Sequence, residues 1–146
     1  MGSLEAFASS RVYFDTNIVI YILERPPLYE RQVSLLLEAL AEDGFEAVTG
    51  EITIAEVLAG AAKAGGETAI GRCIAFFESE DIVSLHPVTR DAFYRAGLVR
   101  AALSVSAPDA IHMATAIEAK CEIFLTNDRR LHTPAELRLV QFADLE

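Results

Sequence analysis

Short β-branched runs alternate with longer stretches of helical periodicity along this chain. That alternation is the pattern of an α/β fold built on a parallel sheet. Arg11-Val12-Tyr13-Phe14 predicts the first strand. Ile18 to Glu24 predicts a short apolar helix, stopped by Pro26-Pro27, which cannot extend it. Tyr29 to Glu42 predicts a second helix with Val33, Leu36, Leu37 and Leu40 on one face, ended by Asp43-Gly44. Phe45 to Thr49 predicts the second strand, and Ile52 to Lys63 a helix broken by Gly65-Gly66. Thr68 to Phe77 follows as a helix, then Ile82 to Leu85 as the third strand, closed by Pro87. Arg90 to Leu103 predicts a long helix. Ser106-Ala107-Pro108-Asp109 reads as a helix start: a Ser cap, a Pro where a missing N–H costs nothing, and an early carboxylate. That helix runs to about Ala119; Ile123 to Leu125 and Leu137 to Val140 predict the last two strands.

Composition adds bounds. The 146 residues fit one domain, and a hydrophobic fraction of 52% suffices for a substantial core. No repeat, low-complexity tract or linker divides the chain. The expected domain is 11–146, with 1–10 an N-terminal extension or cloning remnant. No stretch approaches the ~20 consecutive apolar residues of a membrane span, and no basic-then-apolar leader opens the chain. A soluble, cytoplasmic protein with no membrane association is the expectation. Cys73 and Cys121 lie far apart among apolar neighbours and read as buried free thiols.

The formal net charge is −10, from 22 acidic and 12 basic residues. Taken alone, this argues against a nucleic-acid partner, because phosphate binding normally shows a basic patch. Bound cations offset acidic charge clustered at a metal site, and a basic partner chain can supply what an acidic domain lacks.

The acids are informative by position. Asp15 directly follows the first predicted strand, and Asp128 follows the fourth through Thr126-Asn127. In an open α/β sheet, ligands bind beyond the carboxyl ends of the strands, where strand order reverses. Asp109 sits in a first helical turn, and Glu56 lies inside an otherwise apolar helix, where an ionised carboxylate needs a partner or a metal. Hard divalent cations take such oxygen ligands. Each acid also has a blander role: Asp15 a helix cap, Asp109 a dipole partner, Asp128 a turn residue, Glu56 a solvated position. Together the blander roles lose force, because two of the acids fall at strand ends.

These residues resemble a known family. Val12-Tyr13-Phe14-Asp15-Thr16-Asn17 is similar to the first motif of PIN-domain nucleases, and Glu56 with Val57-Leu58 to their second acidic position. Pro108-Asp109-Ala110-Ile111-His112-Met113-Ala114-Thr115-Ala116 resembles the third motif, and Phe124-Leu125-Thr126-Asn127-Asp128-Arg129-Arg130-Leu131 the fourth. The four occur in family order from Val12 to Leu131, with no departure at the acidic positions. The wording is most similar to VapC-type toxins of toxin–antitoxin pairs.

The resemblance implies a five-stranded parallel sheet, order 3-2-1-4-5, flanked by helices. It implies a site of Asp15, Glu56, Asp109 and Asp128 holding Mg²⁺ or Mn²⁺, supported by Asn17 and Thr126. It further implies RNA as substrate, water as the attacking group, a homodimer, and a cognate antitoxin that fills a groove. The apolar helices Ile18 to Leu23 and Tyr29 to Leu40 read either as core or as that groove. Arg129 and Arg130, just past Asp128, read either as phosphate contacts or as surface charges on a turn. His112 reads as a packing residue or a support to the site, His86 and His132 as solvated, and Arg90, Arg95 and Arg100 as a helix's solvated face.

Three rivals stand beside this. A receiver-like signalling domain also binds Mg²⁺ with strand-end acids, but wants an Asp after the third strand and a Lys after the fifth. Here the third strand ends in His86-Pro87, and no Lys follows Lys120. A hydrolase forming an aspartyl-phosphate wants a second Asp where Asn17 stands. A silent PIN scaffold acting by binding alone sits poorly with an intact acidic set.

Overall fold

The computed structural model describes residues 4–146. Five parallel strands form one sheet: β1 (Arg11–Phe14), β2 (Glu46–Gly50), β3 (Ser84–His86), β4 (Ile123–Thr126) and β5 (Arg138–Gln141). Their order is β3-β2-β1-β4-β5, as expected. Among the described residues six α-helices surround it: α1 (Thr16–Glu24), α2 (Glu30–Ala41), α3 (Ile52–Ala64), α4 (Gly66–Ser79), α5 (Arg90–Leu103) and α6 (Ala107–Glu118). Receiver domains share the 2-1-3-4-5 order of flavodoxin-like sheets, so this topology removes that rival.

β1 is the central strand. Its residues pair with both neighbours, Tyr13 with Val48 on one side and Phe124 on the other. Side chains alternate across a strand, and here the alternation divides the core. Val12 and Phe14 pack with α1 to α4, whereas Tyr13 packs with α5 and α6. The chain reverses its direction of sheet growth between β1 and β4, so a crevice opens at the ends of these two strands.

Local chemistry sets the ends of the helices. Asp15 caps α1 through Thr16 N–H, and Arg25 closes it in the left-handed region before Pro26. Thr89 caps α5 by accepting from Ala92 N–H. Ser106 caps α6 by accepting from Asp109 N–H at 3.3 Å, with Pro108 in the first turn. Gly66, at φ +66°, supplies the break between α3 and α4.

One expectation needs correction. The third strand begins at Ser84 rather than Ile82, because the ladder with β2 starts at the Val48–Ser84 pair. Ile82 and Val83 are apolar because they pack on the core, not because they are laddered. Leu4 to Phe7 pack on the same core. Leu4–Phe7 form a 3₁₀ turn, and Phe7 is 0% exposed against Phe45, ring centroids 5.2 Å apart. Met1 to Ser3 lie outside the described residues. Both cysteines are buried and unpaired, as expected, and burial pushes the Cys121 thiol up to about 12. No helix among the described residues is long and apolar enough to cross a membrane.

Phe7→Ala should therefore destabilise the domain by about 3–5 kcal/mol, the usual loss for truncating a buried aromatic ring. Urea denaturation measures this; a wild-type midpoint would return the segment to the status of a dispensable extension.

Candidate active site

Asp15 leaves the sheet at the end of β1. Its N–H still donates to Leu125 O at 3.0 Å, which extends the β1–β4 ladder by one bond. Its side chain is then received by α1 and β4. Oδ1 accepts from Thr16 N–H at 2.8 Å, and Oδ2 accepts from the Thr126 hydroxyl at 2.7 Å and from Asn17 Nδ2 at 3.4 Å. The cap role read from the sequence is therefore present in the structure. Asp15 is 7% exposed, and no Lys or Arg among the described residues pairs with it. Burial raises its pKa; His112, the Thr126 hydroxyl and Thr16 N–H oppose the rise, and the charge on Asp109 adds to it.

Glu56 approaches from α3. Its Oε1 accepts from the Thr16 hydroxyl at 2.7 Å and lies 2.6 Å from His112 Nε2. That nitrogen is 3.9 Å from Asp15 Oδ1, so Asp15 and Glu56 share Thr16 and His112 as common neighbours. The Glu56 side chain is 36% exposed. It is therefore not the deeply buried acid its apolar helix suggested, and its hydrogen bond with His112 holds it below the ordinary carboxylate range.

Thr126 and Asn17 both bond to the Asp15 carboxylate and to each other. The Thr126 hydroxyl donates to Asp15 and accepts from Asp128 N–H at 3.1 Å. Asn17 Oδ1 accepts from Asn127 N–H at 3.1 Å and so ties α1 to the loop after β4. Asp109 stands half-buried in the first turn of α6, its charge felt by both Asp15 and Arg130. Its carboxylate has no hydrogen-bond partner among the described residues. Asp128 is turned differently. Its carboxylate accepts from Arg130 N–H at 2.9 Å and from the Arg130 guanidinium at 3.2 Å, which holds its pKa down. Arg129 pairs with Asp144 at 2.6 Å. Both guanidiniums thus engage acids of their own chain.

The four acids line one rim without closing on a common point. Among the described residues, no three His, Cys, Asp or Glu side chains gather closely enough to hold an ion. Like charges repel, and two of the acids are each satisfied by a neighbour, Glu56 by His112 and Asp128 by Arg130. The donors are nonetheless hard oxygens around a buried anion that no Lys or Arg among the described residues neutralises, which is a chemistry suited to a divalent ion.

His112 is the residue whose weight the sequence understated. It is 1% exposed on α6, three residues after Asp109 and on the same face. Nδ1 lies 2.7 Å from the Tyr13 hydroxyl. Position i+3 from a site acid was the available signal. His86 is likewise not simply solvated: it is half-buried, 3.5 Å from Glu118.

A sequence profile described as PIN domain matches residues 12–137. The chain belongs to the PIN domain family. No curated protein matches it by sequence. Among solved structures, this PIN domain is similar to VapBC2 of Rickettsia felis bound to a promoter DNA fragment. The identity there is 18%, the TM-score 0.68, and the coverage 90% of this chain and 98% of that one. A toxin–antitoxin complex from Klebsiella pneumoniae aligns at 23% identity, TM-score 0.64, covering 87% and 95%. VapC20 of Mycobacterium tuberculosis, a toxin that cleaves the sarcin–ricin loop, aligns at 14% identity, TM-score 0.61, covering 77% and 86%. At these identities the likeness carries the fold.

The raised pKa of Asp15 gives a signed prediction for this PIN domain. A group whose folded pKa is raised favours folding below its unfolded pKa. That contribution is lost as pH rises through the folded value. In EDTA, wild-type stability relative to Asp15→Asn should therefore fall as pH rises from about 4, the ordinary Asp pKa, to neutrality. Melting temperatures of the two across that window check it; parallel curves would show that the Asp15 charge is already compensated.

Proposed function

We propose that this PIN domain is a Mg²⁺- or Mn²⁺-dependent endoribonuclease, the toxin of a toxin–antitoxin pair. The observation that carries the reading is Asp15, a buried carboxylate with no Lys or Arg partner among the described residues, set at the strand crossover where Glu56 shares Thr16 and His112 with it and the Asp109 charge is felt. Asp15 and Glu56 would hold the cation, with Asp109 and Asp128 adding charge and completing its ligands. Such a cation, when bound, supplies Lewis acidity and lowers the pKa of water towards neutrality.

The chain's own residues do the rest. Thr16 N–H, the Thr126 hydroxyl and Asn17 fix both oxygens of Asp15, so it needs no rearrangement to meet substrate. Asp109 is free of hydrogen bonds among the described residues and can turn towards added positive charge. Asp128 can join by releasing Arg130, whose own side chain is 91% exposed. The released guanidinium is then available to an RNA phosphate, as is Arg129 if it leaves Asp144. Exposed ion pairs of this kind are screened by solvent and hold weakly, so phosphate can compete for both arginines.

The antitoxin reading has a physical footing. A cavity of about 180 Å³ opens between α1, α3 and α4, lined by Ile20, Leu23, Val57, Ala61, Arg72 and Cys73. It uses α1, as the apolar excess suggested, but α3 and α4 in place of α2. An apolar side chain of a cognate antitoxin fits this chemistry. A homodimer belongs to the same reading, and exposed Phe93, Tyr94 and Leu98 on α5 supply apolar surface for one. So does a cytoplasmic location.

Asp15→Asn should abolish cleavage of RNA in Mg²⁺ or Mn²⁺ while leaving the fold intact. The loss should exceed the roughly 10–100-fold typical of residues one shell further out. RNA-end sequencing after brief expression of wild type and variant tests this; equal cleavage by both would overturn the nuclease reading. If the protein is a silent scaffold, neither will generate new ends. Arg129→Ala should weaken RNA binding and lower its salt slope by about one phosphate's share; an unchanged slope would leave Arg129 as a partner of Asp144 alone.

A further inference from the structure

A buried chain of polar groups runs from the end of β2 to the edge of the site. Gly50 N–H donates to the Tyr13 hydroxyl oxygen at 2.9 Å. That oxygen lies 2.7 Å from His112 Nδ1, and His112 Nε2 lies 2.6 Å from Glu56 Oε1. Tyr13 is 0% exposed and His112 1%. The approach is so close that a Cβ on Gly50 would sit 2.7 Å from the Tyr13 hydroxyl. Any side chain at Gly50 would force the Tyr13 hydroxyl to shift.

The direction of the protons follows from what each atom can do. The Gly50 amide can only donate, so the phenol oxygen accepts from it. With the phenol's single proton on the His112 side, Nδ1 is an acceptor; the Thr49 or Thr53 hydroxyl, which also reaches the phenol, can then donate to its oxygen beside Gly50. In this tautomer Nε2 carries the hydrogen, and it faces an ionised carboxylate, which can only accept. The Thr16 hydroxyl donates to the same Oε1. One oxygen of Glu56 thus receives two donors, and Oε2 has no hydrogen-bond partner among the described residues.

The geometry points to Tyr13 and His112 as positioning residues: the Tyr13 hydroxyl locks His112 in its Nε2–H tautomer, and that N–H anchors one Glu56 oxygen so that the other is presented to a divalent cation. The inference rests on the nuclease reading above for its purpose, but not for its geometry. It assigns a role to a tyrosine two residues before Asp15 that points to the opposite face of the sheet from Val12 and Phe14. It also explains why a histidine is buried among α6 residues that are otherwise apolar or small. Second-layer hydrogen bonds of this kind typically contribute a factor of about 10–100 in metal affinity or activity.

Two readouts test it in the full chain. Imidazole ¹⁵N spectra of histidine-labelled protein, with His112 assigned by loss of its signals in His112→Gln, should show the Nε2–H tautomer in wild type. In Tyr13→Phe they should show a mixture of tautomers. Calorimetric titration with Mn²⁺ should show an affinity about tenfold weaker in His112→Ala. In His112→Gln, whose amide can still donate to Glu56 and accept from Tyr13, it should stay within about threefold. An Nδ1–H tautomer in wild type would overturn the relay. So would undiminished Mn²⁺ affinity in a folded His112→Ala when Glu56→Gln binds weakly. If His112→Ala does not fold, the spectra of wild type and Tyr13→Phe decide. Failure of wild type to bind Mn²⁺ at all would overturn the nuclease reading and the purpose assigned to the relay, while the tautomer would still decide its geometry.

Discussion

The Asp15 carboxylate is an anion taken out of water at the end of the central strand, and its position is fixed before any ligand arrives. Three chain donors fill its oxygens, yet donors of this kind spread a charge without cancelling it. The remaining imbalance is why burial raises its pKa despite those bonds. A folded domain tolerates such a residue only when surrounding structure over-determines it. Here α1 contributes two donors and β4 one to the side chain, and β4 also accepts from the Asp15 backbone N–H. The rest of the rim is arranged around this fixed point.

The other acids are placed by different rules. Glu56 and Asp128 each have a neighbour that satisfies them locally, His112 in one case and Arg130 in the other. These neighbours stabilise two of the carboxylates against the repulsion of the other acids. Asp109 stands between, held by its backbone alone at a capped helix start. The result is a rim of graded readiness. One acid is immobilised, one is anchored by a single oxygen, one is free to turn, and one is restrained by an exposed arginine.

Much of this was legible in the residues, for identifiable reasons. Strand β1 and the cap at Asp15 could be read because an apolar run ends abruptly in an acid followed by Thr16 and Asn17. The start of α6 could be read because Ser106, Pro108 and Asp109 each satisfy a different requirement of a first helical turn. The sheet order came from resemblance rather than from periodicity, which says nothing about which strands are neighbours. Other features were hidden for physical reasons. The role of Phe7 is a tertiary contact with Phe45 and leaves no local signature. The exposure of Glu56 depends on where α3 ends up relative to the crevice, although its own neighbours are apolar. The partners of Arg129 and Arg130 depend on how the loop after β4 folds back, since Asp144 is far along the chain. Tyr13 looked like one more apolar strand residue, and only its hydroxyl, seen against Gly50 and His112, separates it from Phe14.

The loop that carries Asp128 is fastened from an unexpected quarter. Asn127 accepts from Ala143 N–H and donates to the hydroxyls of Tyr21 and Tyr29, while Arg129 reaches Asp144. Phe142 packs on both of those tyrosines. During translation, a nascent chain that has not yet released this segment from the ribosome can assemble β1 and α1 but cannot yet clamp the loop. This fastening of the site therefore depends on residues that follow β5 in the chain, so it cannot be made until the fifth strand has been synthesised.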